Sequence, residues 1–247
     1  MLGLPRGITT CLFDLDGVLT QTAKIHAQAW KQMFDDFLHA RAERMGDPFQ
    51  EFDRPTDYDE YVDGKPRLDG VHSFLQSRGI DIPMGSPSDP PEQDTVHALG
   101  TRKNNLVLDL IGEQGVEPYE GSVAFVERAR DQGLRRAVVS SSTNCREVLV
   151  AAGIEDLFEV RIDGTVAERE GLAGKPAPDT FLAAARAFDA EPAQAAVFED
   201  AQAGVQAGRA GDFGWVVGVD RTDQAEALRQ RGADVVVEDL AELLERR

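Results

Sequence analysis

Cysteine is nearly absent from this chain of 247 residues, which carries two, Cys11 and Cys145. No disulfide framework is suggested, and Cys11, set in an apolar run, reads as a small core residue. Long hydrophobic runs are also missing. None approaches the roughly 18–20 apolar residues of a membrane span. Residues 1–7 show no signal-type apolar segment, so a cytoplasmic protein is expected. Positive charge is scarce too: 26 Lys and Arg face 44 Asp and Glu, a formal net charge of −18. That balance argues against non-specific binding to nucleic acid or anionic membranes. It still permits an anionic substrate, because a metal and a few local cations can reverse the field in one pocket. What is present is a hydrophobic content of 42%. This is enough for a real core, in one large domain or two smaller ones.

Short apolar runs at 10–13, 136–139, 195–198, 215–219 and 234–237 read as strands. Helical patterns over 122–132, 144–152, 179–188, 201–210 and 224–231 lie between most of them, and a short helix is expected at 240–244. This alternation predicts an α/β fold with a doubly wound, parallel, Rossmann-like sheet. Ligands of such sheets bind outside the carboxyl ends of the strands, where Asp14, Ser140, Glu199, Asp200 and Asp220 fall. Residues 21–111 break the pattern. Trp30, Met33, Phe34, Phe37 and Leu38 form an apolar stripe at helical spacing. Short helices are expected at 58–62, 70–78 and 96–111, with irregular stretches at 46–55 and 83–91. The expected division is a catalytic core, 1–20 and 112–247, interrupted by an all-helical cap domain, 21–111.

Four separated pieces carry chemistry. Asp14-Leu15-Asp16-Gly17 follows an apolar strand. Alternation would point both carboxylates the same way, and like charges that close need a cation or a shared proton. Gly17 allows the sharp turn that brings a ligand near the backbone. Ser140-Ser141-Ser142 offers hydroxyls and main-chain donors beside a helix start. In the run from Gly174 to Asp179, Pro176 and Pro178 stiffen the chain around Lys175, and Asp179 can cap the next helix. Glu199-Asp200 ends another strand. Taken singly, each piece has a plainer reading: Lys175 as a solvated lysine, Ser140 as a helix cap, Glu199-Asp200 as an acidic turn. Together they form a carboxylate cage with an ammonium and a hydroxyl, suited to Mg²⁺ and a phosphoryl group.

In kind and order these pieces resemble the haloacid dehalogenase-type phosphotransferase superfamily, over residues 9–220. Within it the chain is most similar to the β-phosphoglucomutase group and its sugar-phosphate phosphatase relatives. The resemblance is carried by Phe-Asp-Leu-Asp-Gly-Val-Leu-Thr at 13–20, Gly-Lys-Pro-Ala-Pro-Asp at 174–179 and Glu-Asp-Ala-Gln-Ala-Gly at 199–204. It implies Asp14 as nucleophile and Asp16 as general acid/base. It implies Mg²⁺ held by Asp14, the Asp16 backbone carbonyl and Asp200, with support from Glu199. Ser140, Ser141 and Lys175 would hold the phosphoryl oxygens, and Thr20 would sit in the flap segment. Dehalogenase members lack the second carboxylate of the first motif, so Asp16 argues for phosphoryl transfer.

In the cap, Gly64 and Arg67 match a loop whose arginine grips a distal phosphate. Lys103 and Asn104 match substrate-contacting positions, and His26 matches a histidine near the acid/base. Gln21, Asp63 and Thr143 depart from the common pattern. The substrate so implied is a small phosphorylated sugar. The activity implied is a mutase working through glucose 1,6-bisphosphate, with a sugar-phosphate phosphatase as the alternative. A non-catalytic sugar-phosphate binder is the third reading. A monomer is expected, with a dimer as its alternative.

Overall fold

The computed structural model describes residues 2–54 and 56–245. Pro55, the last residue of the irregular stretch expected at 46–55, lies outside them. Contacts divide the chain into two compact units, Met1–Thr22 with Gly64–Pro66 and Val116–Arg247, and Ala23–Asp63 with Arg67–Gly115.

The first unit holds a six-stranded sheet among its described residues, in the order β3-β2-β1-β4-β5-β6. The strands are β1 (Thr10–Phe13), β2 (Arg135–Val139), β3 (Val160–Ile162), β4 (Ala195–Glu199), β5 (Trp215–Val219) and β6 (Val235–Val237). Every pairing between them is parallel. The central strand β1 is buried at all four positions, which explains its unbroken Thr-Cys-Leu-Phe sequence.

Alternation sorts the sheet's side chains into two faces. Leu12, Ala137, Val139 and Val197 join Phe181, Val205 and Leu228 in one core. Phe13 and Phe198, in register on β1 and β4, stack at 4.5 Å, and Phe125 packs on both from 5.2 and 6.1 Å. The helices of this unit start with α4 (Glu120–Asp131), α5 (Cys145–Ala151) and α6 (Gly164–Glu170). They continue with α7 (Asp179–Ala187), α8 (Gln202–Ala210), α9 (Ala225–Arg231) and the short α10 (Glu242–Glu245). The sheet order turns outward in both directions from β1 and β4. That topological switch point is where doubly wound sheets place their ligand.

The second unit is helical: α1 (Ala23–Met45), a π-helical turn at Tyr58–Val62, α2 (Arg67–Ser77) and α3 (Val96–Gln114). The predicted stripe is its core. Trp30, Met33, Phe34 and Phe37 pack with Phe52, Phe74 and Leu99. Thr95 caps α3 by accepting the Ala98 N–H, and Gly115 closes it at φ +74°. No helix among the described residues is long and apolar enough to cross a membrane.

Strand β3 and helix α6 have no counterpart in the sequence reading. The strand is three residues long with Arg161 at its centre, so it presents no apolar run. The α3 helix also runs three residues beyond its expected end, to Gln114.

Candidate active site

The reactive groups lie at the carboxyl ends of β1, β2 and β4. The Asp14 N–H donates to Phe198 O at 2.9 Å, which prolongs the β1–β4 pairing and fixes the carboxylate at the strand exit. Lys175 is 2% exposed. Its Nζ donates to Asp14 Oδ1 at 2.5 Å, to Glu199 Oε1 at 2.6 Å and to Val139 O at 3.1 Å. The second oxygen of Glu199 accepts the Ala201 N–H at 2.9 Å. Among the described residues, Asp14, Glu199 and Asp200 place carboxylate oxygens within 4.8 Å of one another, and all three are buried.

Two glycines make this convergence possible. Gly17 adopts φ +85°, and a Cβ there would lie 1.7 Å from Asp200 Oδ2. A Cβ on Gly204, in α8, would lie 1.8 Å from Glu199 Oε1. Gly204 leaves the space that the Glu199 carboxylate fills.

Burial pushes the Asp14 carboxyl up to about 6; the Lys175 ammonium opposes the rise and Asp16 adds to it. Burial likewise pushes Glu199 up to about 7, again against Lys175, with Asp14 adding to the rise. For Lys175, burial works against the charged form, but Asp14 and Glu199 outweigh it and hold the ammonium above the usual lysine range. One ammonium thus serves a group of carboxylates that carries surplus negative charge in a dry place. Hard oxygen donors with surplus charge are the donor set that Mg²⁺ takes, so these residues fit that ion.

Asp16 belongs to a different network. Its Oδ1 accepts from Thr22 Oγ1, which shares a hydrogen at 2.7 Å with Thr20 Oγ1. With the Thr22 proton committed to Asp16, Thr20 Oγ1 is the donor to Thr22, and it lies 3.2 Å from Leu15 O. The Asp16 carboxylate is therefore held by the turn itself, outside the three-carboxylate group. Separation of this kind gives two neighbouring acids different work.

The serine run is arranged around its own backbone. The Ser140 N–H continues the sheet to Ile162 O at 3.0 Å, and Ser140 Oγ accepts the Ser142 N–H at 3.1 Å. Ser141 Oγ donates to Gly64 O at 2.7 Å, within the same unit. One main-chain donor expected for phosphate, that of Ser140, is thus already used in the sheet.

In the helical unit, Lys103 is buried at 5% exposure. Its Nζ lies 2.9 Å from His26 Nδ1 and 4.8 Å from the centre of the Trp30 ring. Arg67 Nη1 donates to Asn104 Oδ1 at 2.6 Å. Burial lowers the His26 pKa well below its usual value, and Lys103 and then Arg67 lower it further. His26, Arg67, Lys103 and Asn104, far apart in sequence, therefore form one neutral-plus-cationic cluster within this unit.

A sequence model of the haloacid dehalogenase-like hydrolase family matches residues 8–212. The chain belongs to that family. It is 54% identical to a β-phosphoglucomutase of Mycobacterium tuberculosis, over 99% of this chain and 94% of the relative. It is 32% identical to a β-phosphoglucomutase of Bacillus subtilis, over 94% and 90%. A crystal structure of β-phosphoglucomutase from Clostridium difficile superposes with a TM-score of 0.73 at 26% identity, covering 96% of this chain and 93% of that one. The protein is an enzyme of this haloacid dehalogenase-like family.

Beyond the motifs that carry the family resemblance, the site uses residues that the sequence reading did not single out. Thr22 holds the Asp16 carboxylate. Arg221 donates from Nε to Gly17 O at 2.8 Å, and Gln224 Nε2 donates to Asp200 O at 3.1 Å. For Arg221 and Gln224 the signal available was nearness to Asp220, a polar residue at a strand end; for Thr22 it was nearness to the Asp14–Gly17 motif.

Proposed function

We propose that the enzyme interconverts β-glucose 1-phosphate and glucose 6-phosphate, working through β-glucose 1,6-bisphosphate and a phosphorylated Asp14. The observation that carries the chemistry is the buried Asp14–Lys175–Glu199 arrangement beside Asp200, at the switch point of the sheet. Asp14, Asp200 and the Asp16 backbone carbonyl would hold Mg²⁺, with Glu199 in support. When bound, that ion neutralises charge on the phosphoryl oxygens.

Asp14 acts as nucleophile. A carboxylate oxygen forms a bond to phosphorus as the bond from phosphorus to the sugar oxygen breaks. Asp16 gives its proton to the departing sugar oxygen. In the reverse sense it takes the proton of the hydroxyl that attacks phospho-Asp14. Lys175 keeps Asp14 oriented and offsets the charge of the incoming phosphate. Ser140 and Ser141 complete the phosphoryl-holding set.

The helical unit, Ala23–Asp63 with Arg67–Gly115, acts as the cap expected over residues 21–111. A hydrolase needs one phosphate site, whereas a mutase working through a bisphosphate needs two. Arg67 with Asn104, beside Lys103 and His26, supports a second cationic site, because the guanidinium fork suits a phosphate. Gly64 and Thr20 belong to the segments that lead into the cap. The strongly acidic chain is read as a cytoplasmic monomer acting on a small sugar phosphate.

The test supplies β-glucose 1-phosphate, a trace of β-glucose 1,6-bisphosphate and Mg²⁺. Glucose 6-phosphate should accumulate with little free phosphate. Free phosphate appearing without glucose 6-phosphate would make the enzyme a phosphatase.

A further inference from the structure

The loop that follows β5 takes no part in the motifs described above, yet it reaches two pieces of backbone in the site. Asp220 shapes it. Its carboxylate accepts the N–H groups of Thr222, Gln224 and Ala225 at 3.2, 2.9 and 3.1 Å, folding residues 220–225 into the start of α9. Arg221 then projects toward β1, and Gln224 toward β4.

Arg221 is held on three sides. Its guanidinium carbon lies 3.6 Å from the centre of the Tyr119 ring. Its Nη1 donates to Glu238 O at 2.6 Å and lies 3.5 Å from Asp239 Oδ2. Tyr119 is tied to the same region, because its N–H donates to Leu19 O at 2.9 Å. A guanidinium stacked and bonded in this way is pre-organised, with little rotamer freedom left to lose. Its Nε meets Gly17 O at 2.8 Å, while the Gly17 N–H donates to Thr20 O at 2.8 Å. The turn after Asp16 is thus anchored at both its N–H and its carbonyl.

Gly17 is also the residue against whose Cα the Asp200 carboxylate rests. Gln224 holds Asp200 from the other side, through its carbonyl at 3.1 Å. The Gln224 amide is oriented in turn by Gln202, whose Nε2 lies 3.4 Å from Gln224 Oε1. Two neighbouring side chains on one loop therefore fix the backbones of the two segments that bring Asp16 and Asp200 to the site.

We propose that Arg221 and Gln224 are positioning residues for phosphoryl transfer, setting the Asp16–Gly17 turn against Asp200 so that the Asp16 carbonyl and the Asp200 carboxylate meet Mg²⁺ in register. This rests on the function proposed above.

The test uses the full-length enzyme with Arg221→Met and, separately, Gln224→Leu, both of similar length and without the donors. Calorimetric titration with Mg²⁺ alone should show the Kd raised about tenfold in Arg221→Met and about threefold or more in Gln224→Leu, the scale of one lost positioning hydrogen bond. Turnover should fall in parallel, while the KM for the sugar phosphate stays within about twofold, since uniform substrate binding is untouched. A merely structural role would lower the melting temperature and leave the Mg²⁺ Kd unmoved.

A folded Arg221→Met enzyme whose Mg²⁺ Kd rises less than about threefold overturns the proposal. If that variant does not fold, Gln224→Leu decides by the same threshold. Wild-type enzyme that binds no Mg²⁺, or Asp200→Asn binding it as tightly as wild type, would instead overturn the functional reading.

Discussion

Gly17→Ala tests how closely the site is built. Gly17 sits at φ +85°, where an L-residue pays about 1–2 kcal/mol of backbone strain. The new methyl would also stand 1.7 Å from Asp200 Oδ2 and 2.5 Å from its Cγ. Ordinary carbon contacts fall at about 3.5–4.0 Å, so the carboxylate must retreat by about 2 Å or rotate away. Misplacement of about 1 Å at a reacting centre can cost about 10²-fold in rate. The expected result is a fall in kcat of about 10² or more, with weaker Mg²⁺ binding.

Gly7→Ala supplies the control. Gly7 has φ +97°, but nothing lies within 4 Å of its Cβ position. It carries comparable strain without the clash. Urea unfolding should show Gly7→Ala less stable by about 1–2 kcal/mol and Gly17→Ala by at least as much, while only Gly17→Ala loses turnover. A Gly17→Ala enzyme with wild-type kcat and unshifted Mg²⁺ affinity would show that the Asp200 carboxylate does not depend on the space at Gly17.

Arg67→Ala should leave phosphorylation of Asp14 by a small phosphoryl donor intact while lowering mutase turnover by about 10² or more, because a charge-assisted fork is lost. Equal losses in both assays would remove Arg67 from the second phosphate site. Asp14 and Glu199 hold their protons more tightly in the folded than in the unfolded state. Their contribution to stability is therefore present at low pH and lost as pH rises through about 6 to 7. The urea midpoint of metal-free enzyme should fall between pH 5 and pH 8. Mg²⁺, which favours the ionised carboxylates, should narrow the difference, and a midpoint that rises over that interval without metal would contradict the sign. Phe198→Ala removes a fully buried ring that packs on Phe13 and Phe125, and should cost about 3–5 kcal/mol by denaturant unfolding.

The core of the site was legible because each group stands at the end of an apolar run. Asp14 follows Phe13, Ser140 follows Val139, and Glu199 closes the buried run of β4. The parallel fold put those ends on one edge, so sequence order alone could assemble them. Lys175 is different. Nothing in its neighbourhood says it is buried; only the company of the other motifs does. Arg221, Gln224 and Thr22 were not legible, because a single polar residue in a loop has no period and no partner until the chain folds. Strand β3 was hidden for a related reason. Its pairing with β2 at Val160, Arg161 and Ile162 is a tertiary fact that overrides a weak local pattern. The aromatic stripe of α1 was plain in sequence, whereas Phe52, which stacks on Phe34 at 5.2 Å, lies in an irregular stretch and carries no periodicity.

The fate of the phosphoryl group at Asp14 separates a mutase from a phosphatase. Enzyme and Mg²⁺ mixed with radiolabelled β-glucose 1,6-bisphosphate, then quenched in acid, should yield a labelled peptide containing residue 14. A chase with β-glucose 1-phosphate should move that label onto sugar faster than it appears as free phosphate. Label absent from Asp14, or released to water at the same rate with and without the sugar, would contradict the proposed mutase.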